Sequence, residues 1–284
     1  MKIQTMSIVC GTESCDAHCP FCVSKMTPKI NKTHGKPKVN WRNFSIACKL
    51  AEKAGATTCL ITGKGEPTLY PTLIVDYLSR IAGKFPFIEL QTNGIRIGNG
   101  QVPNHILEGW YKYGLTTICL SAVGTGDTNK NIYSKEYPNI ADTVRRLHTV
   151  GFSIRLSIMM LKEYIDSPTH IKRVVEFCKK NEIEQLTVRP ITYPENTDNE
   201  ISRWVANHAL NDNEILAIKH HIIDNATPVL HLSHGATVYD YDGQNLCLTN
   251  CLTTNDTDDN MRQIIFFPDG TISYDWKYEG ARLL

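Results

Sequence analysis

Residues 140–160 read Ile140-Ala141-Asp142-Thr143-Val144-Arg145-Arg146-Leu147-His148-Thr149-Val150-Gly151-Phe152-Ser153-Ile154-Arg155-Leu156-Ser157-Ile158-Met159-Met160. Ile140–Val150 predicts a helix, Gly151 the left-handed residue that stops it, and Ser153–Met160 a strand. In that strand Ser153, Arg155, Ser157 and Met159 share one face, and Ile154, Leu156, Ile158 and Met160 the other. Parallel strands covered by helices are ordinarily apolar on both faces. One polar face therefore implies a lumen that holds a polar ligand.

The same unit recurs outward in both directions. Further strands are predicted at Ile3–Cys10, Thr58–Thr62, Phe87–Gln91, Thr117–Ala122 and Gln185–Arg189. Helices are predicted at Trp41–Ala54, Pro71–Gly83, Asn104–Tyr113 and Pro168–Asn181, with Gly55, Gly83 and Gly114 as further stops. Strand–helix alternation builds a parallel sheet. Six units fall short of the eight of a closed barrel. The expected fold is α/β, a partial (β/α)6 TIM barrel with a small C-terminal β-rich extension; a doubly wound open sheet fits the same alternation. Past Arg189 the pattern changes. Tyr193–Asn213 reads as a loop or linker, Asn213–Asn225 as one amphipathic helix, and the chain from Pro228 as β. Gln263–Phe267, Pro268-Asp269-Gly270 and Thr271–Trp276 predict a hairpin, because Pro presets φ and Gly takes the positive-φ position. The expected division is a core over 1–195 and an extension of helix plus hairpin over 196–284.

The chain has 284 residues, 42% of them hydrophobic and 21% charged, with a net charge of +1. That composition belongs to a globular protein, not to a disordered or fibrous one. The balance of charge gives no reason to expect a nucleic-acid coat. No apolar run reaches the roughly 18 residues of a membrane span. Met1-Lys2-Ile3-Gln4-Thr5 reads as a strand rather than a secretion signal, so the expected location is cytoplasmic. Three of the ten cysteines fall within eight residues, which points to metal rather than to a disulfide framework.

Those three lie in Cys15-Asp16-Ala17-His18-Cys19-Pro20-Phe21-Cys22, directly after the first strand. Thiolates bind zinc or iron–sulfur clusters. A structural zinc needs a fourth protein ligand, and His18 is badly placed beside Cys19. A [4Fe–4S] cluster on three cysteines leaves one iron open. Later strands also end in polar or glycine-rich turns. The second runs into Thr62-Gly63-Lys64-Gly65-Glu66-Pro67-Thr68, where glycine lets backbone approach a ligand and a carboxylate can accept from an ammonium group. The third ends Gln91-Thr92-Asn93-Gly94 and the fourth at Ser121, groups able to hydrogen-bond ribose hydroxyls or a carboxylate. These motifs fall at the C-terminal ends of successive strands, the rim that carries sites in parallel α/β folds.

The triplet, with the aromatic Phe21 before its last cysteine, resembles that of the radical S-adenosylmethionine (radical SAM) enzymes. The resemblance runs over about residues 3–192. It implies a [4Fe–4S] cluster on Cys15, Cys19 and Cys22 whose open iron chelates SAM. An electron then splits the S–C5′ bond, and the 5′-deoxyadenosyl radical takes hydrogen from a substrate. Gly63, Gly65 and Glu66 resemble the family's Gly-Gly-Glu-Pro element, which holds the SAM amino group; Lys64 departs from it in place of the middle glycine. Thr92 and Asn93 are similar to a further family element, with Ser121 as a ribose or carboxylate contact or a surface hydroxyl. Arg155 reads as a ligand of the SAM carboxylate or a substrate anion, with Ser157 beside it, or as a buried structural ion pair; Arg189 has the same dual reading. The implied partners are a small-molecule, nucleotide or peptide substrate and an electron donor such as flavodoxin or ferredoxin. Two other functions share these features: an activase that makes a glycyl radical on a partner enzyme, and a non-catalytic iron–sulfur scaffold or sensor.

Four remaining features are weaker. The lysines of Pro28–Lys38 could receive an acidic substrate or form a solvated loop. Cys247 and Cys251 vaguely resemble the auxiliary-cluster region of some family members, but the following hairpin has no cysteine, so they read as a remnant or as plain thiols. His220-His221, and His231 with His234, read as packing or surface residues.

Overall fold

The computed structural model describes residues 2–28, 37–192, 199–232, 235–249 and 260–284. In chain order the repeating part holds β1 (Lys2–Val9), α1 (Val23–Met26), α2 (Trp41–Lys53), β2 (Thr58–Thr62), α3 (Pro71–Ile81), β3 (Phe87–Thr92), α4 (Ile95–Gly98) and α5 (Asn104–Lys112). It continues with β4 (Thr117–Ala122), α6 (Thr128–Ile132), α7 (Ile140–Val150), β5 (Ser153–Met160), α8 (Pro168–Lys180) and β6 (Gln185–Pro190). The remainder holds α9 (Glu200–His208), α10 (Asp212–Asn225), β7 (Thr227–His231), β8 (Thr237–Tyr241), β9 (Gln244–Leu248), β10 (Asn260–Phe266) and β11 (Ile272–Ser273).

Local chemistry sets the boundaries. The side chains of Asn40 and Asn139 each accept the N–H three residues on, at 3.1 Å, and so cap α2 and α7. Pro71 and Pro168 open α3 and α8, where a missing N–H has no helical partner to lose. Gly151 ends α7 at φ 107°, the left-handed conformation read from the sequence.

The eleven strands among the described residues join one sheet, ordered β11-β10-β1-β2-β3-β4-β5-β6-β9-β8-β7. β1 to β6 are parallel and follow one another in sequence order. A doubly wound sheet would reverse its strand order at a switch point. The unbroken run is that of a partial TIM barrel, with a helix following each of the first five strands.

Register sorts the two faces. Gln91, Cys119, Arg155 and Gln185 stand side by side across four strands, and Ser121, Ser157, Thr187 and Cys247 form the row above. The alternate positions Ile118, Leu120, Ile154, Leu156, Ile158, Leu186 and Val188 are buried in the helix-covered core with Val144, Leu147, Ile171 and Val174. A slip of one residue would drive Arg155 into hydrocarbon, so the alternation fixes the register.

Two expectations need correction. Tyr193–Asn213 is not all linker: α9 lies within it. Asn199 and Ser202 form a reciprocal capping box at its start, and Ile201, Trp204 and Val205 pack one side of it on the core. The second strand of the hairpin is only Ile272–Ser273. Beyond it the chain turns back, and Leu283 and Leu284 donate to the Ile272 carbonyl. The Pro268-Asp269-Gly270 turn forms as read, with Gly270 at φ 99°. β10 pairs parallel with β1 and β9 parallel with β6, so the C-terminal strands extend the sheet at both edges. Residues 29–36 of the lysine segment, 193–198 of the linker, His234, Cys251 and the polar run Asn255–Asn260 up to residue 259, read from the sequence as the one low-complexity tract, lie outside the described residues.

Candidate active site

The C-terminal ends of the parallel strands surround a cavity of about 590 Å³. Cys15, Cys19 and Cys22 line it together with Gly63, Gly65, Glu66, Thr92, Asn93, Ser121 and Arg189. Ten residues singled out from the sequence thus meet in one place, from segments up to 174 residues apart (Cys15 to Arg189). Phe21, Arg155 and Ser157 are not in the lining.

The cysteine segment is held from several sides. Gly65 presses on its entry: a Cβ there would lie 2.0 Å from the Ser14 carbonyl oxygen. The next residue, Glu66, donates its N–H to that oxygen at 2.9 Å. Asn93 Nδ2 donates to Asp16 Oδ1 at 2.7 Å, and His18 N–H to the Tyr133 carbonyl at 2.8 Å. Phe21 is buried, its ring centroid 6.0 Å from those of Tyr133 and of Trp204 on α9. It wedges the loop in place instead of facing the cavity. Past Cys22, Lys64 Nζ donates to Thr27 Oγ1, to the Pro28 carbonyl at 3.1 Å and to the Ser24 carbonyl at 3.4 Å.

Glu66 joins two strand ends. Its Oε1 accepts from Thr68 N–H at 2.9 Å and from the hydroxyls of Thr68 and Thr92, each at 2.6 Å. Oε2 accepts only Asn93 N–H among the described residues, at 3.0 Å, and so keeps accepting capacity. Burial pushes this carboxyl above the usual range, and the bonds from Asn93, Thr68 and Thr92 pull it back. Thr92 Oγ1 also accepts from Gly94 N–H, and Asn93 Oδ1 from Ile95 N–H, so the Thr-Asn-Gly turn is fixed from within.

Two of the sulfurs, those of Cys15 and Cys19, are poor anions as they stand. Burial, opposed by the Ala17 N–H and reinforced by the charges of Glu66, Asp16 and Cys22, pushes the Cys15 thiol up to about 11. Burial, then Cys22 and Cys15, pushes Cys19 up as well. With Cys15 and Cys19 held toward the protonated form, the trio is a donor set that a cation would relieve. Among the described residues no three His, Cys, Asp or Glu side chains close round a single ion. The trio borders a volume. Tyr133 Oη and Arg189 Nε, in the lining, and Asp16 Oδ2, next to Cys15, are buried without partners among the described residues. The cysteines, the free acceptor on Glu66 and these polar atoms fit a [4Fe–4S] cluster with a polar ligand beside it.

Arg155 is engaged elsewhere. Its Nε donates to Glu89 Oε2 at 2.8 Å, its Nη2 to Glu89 Oε1, and its Nη1 to Thr187 at 3.3 Å. Gln91 Nε2 also donates to Glu89 Oε1, at 3.0 Å. This network joins β3, β5 and β6 across the lumen on the N-terminal side of the cavity. Ser157 Oγ, one row nearer the cavity, is buried without a partner among the described residues. Cys247 is half-buried on the same face. His221 Nε2 is hydrogen-bonded to Tyr241 Oη at 2.9 Å, and His231 to Thr237 at 3.2 Å. The sequence reading missed Lys64, Gln91 and Tyr133 in the lining. Gln91 carried a signal, being two residues before Asn93 on one strand face. Lys64 was visible only as a break in a motif, and Tyr133 lies outside every strand.

A family model described as the radical SAM superfamily matches residues 9–177. No curated protein matches the chain. Among solved structures, native anSMEcpe with bound AdoMet is similar over 99% of this chain and 77% of its own, at 13% identity and a TM-score of 0.63. SuiB of Streptococcus suis is similar over 95% of this chain at 15% identity and a TM-score of 0.59. This chain spans 60% of the length of SuiB. Methylornithine synthase (PylB) is similar over 90% of this chain and 74% of its own, at 14% identity and a TM-score of 0.53. At these identities the likeness concerns the fold.

Proposed function

Because this chain belongs to the radical SAM superfamily, whose cofactors are a [4Fe–4S] cluster and SAM, we propose that it is an enzyme that cleaves SAM reductively and takes hydrogen from a small-molecule, nucleotide or peptide substrate. The observation that carries this reading is the meeting of Cys15, Cys19 and Cys22 with Glu66, Thr92, Asn93, Ser121 and Arg189 around one cavity. When bound, the cluster supplies one electron to SAM, whose S–C5′ bond breaks to give methionine and the hydrogen-abstracting 5′-deoxyadenosyl radical.

The chain's own residues bind and orient. Cys15, Cys19 and Cys22 hold the iron. Glu66 Oε2 accepts from the SAM ammonium, and Gly63 and Gly65 leave room for backbone approach. Asn93, Thr92 and Ser121 offer hydrogen bonds to the ribose or the carboxylate. Arg189 supplies a cation for a carboxylate or phosphate, since Arg155 is neutralised by Glu89. We read residues 1–195 as the catalytic core and 196–284 as the part that extends the sheet at both edges, with α9 against Phe21. An electron donor such as flavodoxin or ferredoxin serves the cluster. No helix among the described residues is long and apolar enough to cross a membrane.

The test is anaerobic reconstitution with iron, sulfide, reductant and SAM. Slow formation of 5′-deoxyadenosine without substrate supports the reading. A protein that binds about four iron atoms and never cleaves SAM is the scaffold or sensor instead. Transfer of the radical to a glycine of a large partner would identify an activase.

A further inference from the structure

The turn Gly63–Glu66 grips the cysteine segment at both ends. Before Cys15, Gly65 and the Glu66 N–H lie against Ser14. After Cys22, the Lys64 ammonium donates to the carbonyls of Ser24 and Pro28 and to the hydroxyl of Thr27. Thr27 Oγ1 spends its own proton on the Ser24 carbonyl, so it can only accept from Lys64. Three acceptors match the three protons of an ammonium group; burial lowers its pKa, and the charges of Glu13 and Cys22 oppose that. The residue is 8% exposed and lines the same cavity as the sulfurs. The loops that Lys64 joins are 36 to 40 residues apart in sequence, so the link is tertiary.

We propose that Lys64 is a positioning residue for the cluster: it fixes the chain just after the third cysteine and places a positive charge beside the sulfur ligands. Glycine at this position could do neither. A fixed cation near the cluster favours the reduced, more negative state. The proposal rests on the radical SAM reading and adds a residue that the family resemblance passes over.

The experiment compares wild type with Lys64→Met, which keeps chain length without charge or donors, and with Lys64→Arg, which keeps both. Reconstituted proteins are titrated anaerobically without SAM and the reduced cluster is followed by electron paramagnetic resonance. At a fixed ambient potential, Lys64→Met should show a reduced-to-oxidised ratio about tenfold below wild type, a shift of about 59 mV for one electron. Lys64→Arg should stay within about threefold of wild type. A merely structural contact would not move the potential. In the metal-free proteins, with rates referred to the thiolate fraction so that the lost charge does not enter, iodoacetamide should label Cys22 several-fold faster in Lys64→Met than in wild type. A Lys64→Met protein that titrates with wild type, or whose Cys22 is labelled at the wild-type rate, overturns the proposal; so does Lys64→Arg behaving like Lys64→Met. The labelling needs no cluster. Wild type that takes up no cluster would refute the radical SAM reading and leave the labelling comparison to decide the role of Lys64.

Discussion

Gly65→Ala tests the contact on which the cysteine segment is seated. The added Cβ would fall 2.0 Å from the Ser14 oxygen and 2.7 Å from the carbonyl carbons of Glu13 and Ser14. These are backbone atoms and cannot rotate away. To reach the ordinary contact distance of 3.4 Å the oxygen must retreat by about 1.4 Å. That carries it from 2.9 Å to about 4 Å from the Glu66 N–H, beyond hydrogen-bonding range. The lost bond is worth about 1 kcal/mol and the overpacking about 1–3 kcal/mol. Together, about 2–4 kcal/mol separates the seated from the displaced segment, or roughly 30- to 1,000-fold in the population able to bind. The assay is iron per chain after reconstitution against increasing chelator, with far-UV circular dichroism to show that the barrel is intact. The chelator midpoint should fall by a factor in that range. Gly109→Ala is the control: it lies within α5, its Cβ meets nothing within 4 Å, and it should leave iron loading unchanged while adding up to about 1 kcal/mol of stability. If Gly65→Ala loads iron and resists chelator as wild type does, the seating argument is wrong.

Single changes Cys15→Ala, Cys19→Ala and Cys22→Ala should each reduce bound iron to background and abolish 5′-deoxyadenosine, as read by iron assay and mass spectrometry. Arg155→Met should destabilise the metal-free protein by about 3–5 kcal/mol in urea, because it leaves Glu89 buried without its partner. The double change Arg155→Met with Glu89→Leu should recover most of that loss, and failure to recover would show that the pair is not the structural unit inferred here. In the metal-free protein the Cys15 thiol, raised to about 11, should be alkylated about tenfold faster per pH unit from 8 to 10. An ordinary thiol, with its pKa near 8.5, would approach its plateau within that range.

What the sequence determined by itself is what local rules govern. The β-rich runs placed β2, β4 and β5 with both ends as found, β5 also by its period-two alternation, and the glycine stop at Gly151 placed the end of α7. The spacing of Cys15, Cys19 and Cys22 and the turns around Glu66 and Asn93 marked the rim, because each motif is a few residues long. α9 escaped because its nine residues are mostly polar and its apolar stripe has meaning only against Phe21 and the core. Only the tertiary structure decided between a partial barrel and a doubly wound sheet, since strand order is a matter of long-range pairing that no local pattern encodes. It also decided the parallel placement of β10 beside β1, a pairing of residues more than 250 apart. The two arginines make the same point. Arg155 and Arg189 share the lumen face and look equivalent in sequence. Glu89, on β3 two strands away, engages the first, while the second lines the cavity with a buried Nε that has no partner among the described residues. A side chain's partner is fixed by three-dimensional proximity, and that proximity exists only once β3, β4 and β5 have paired.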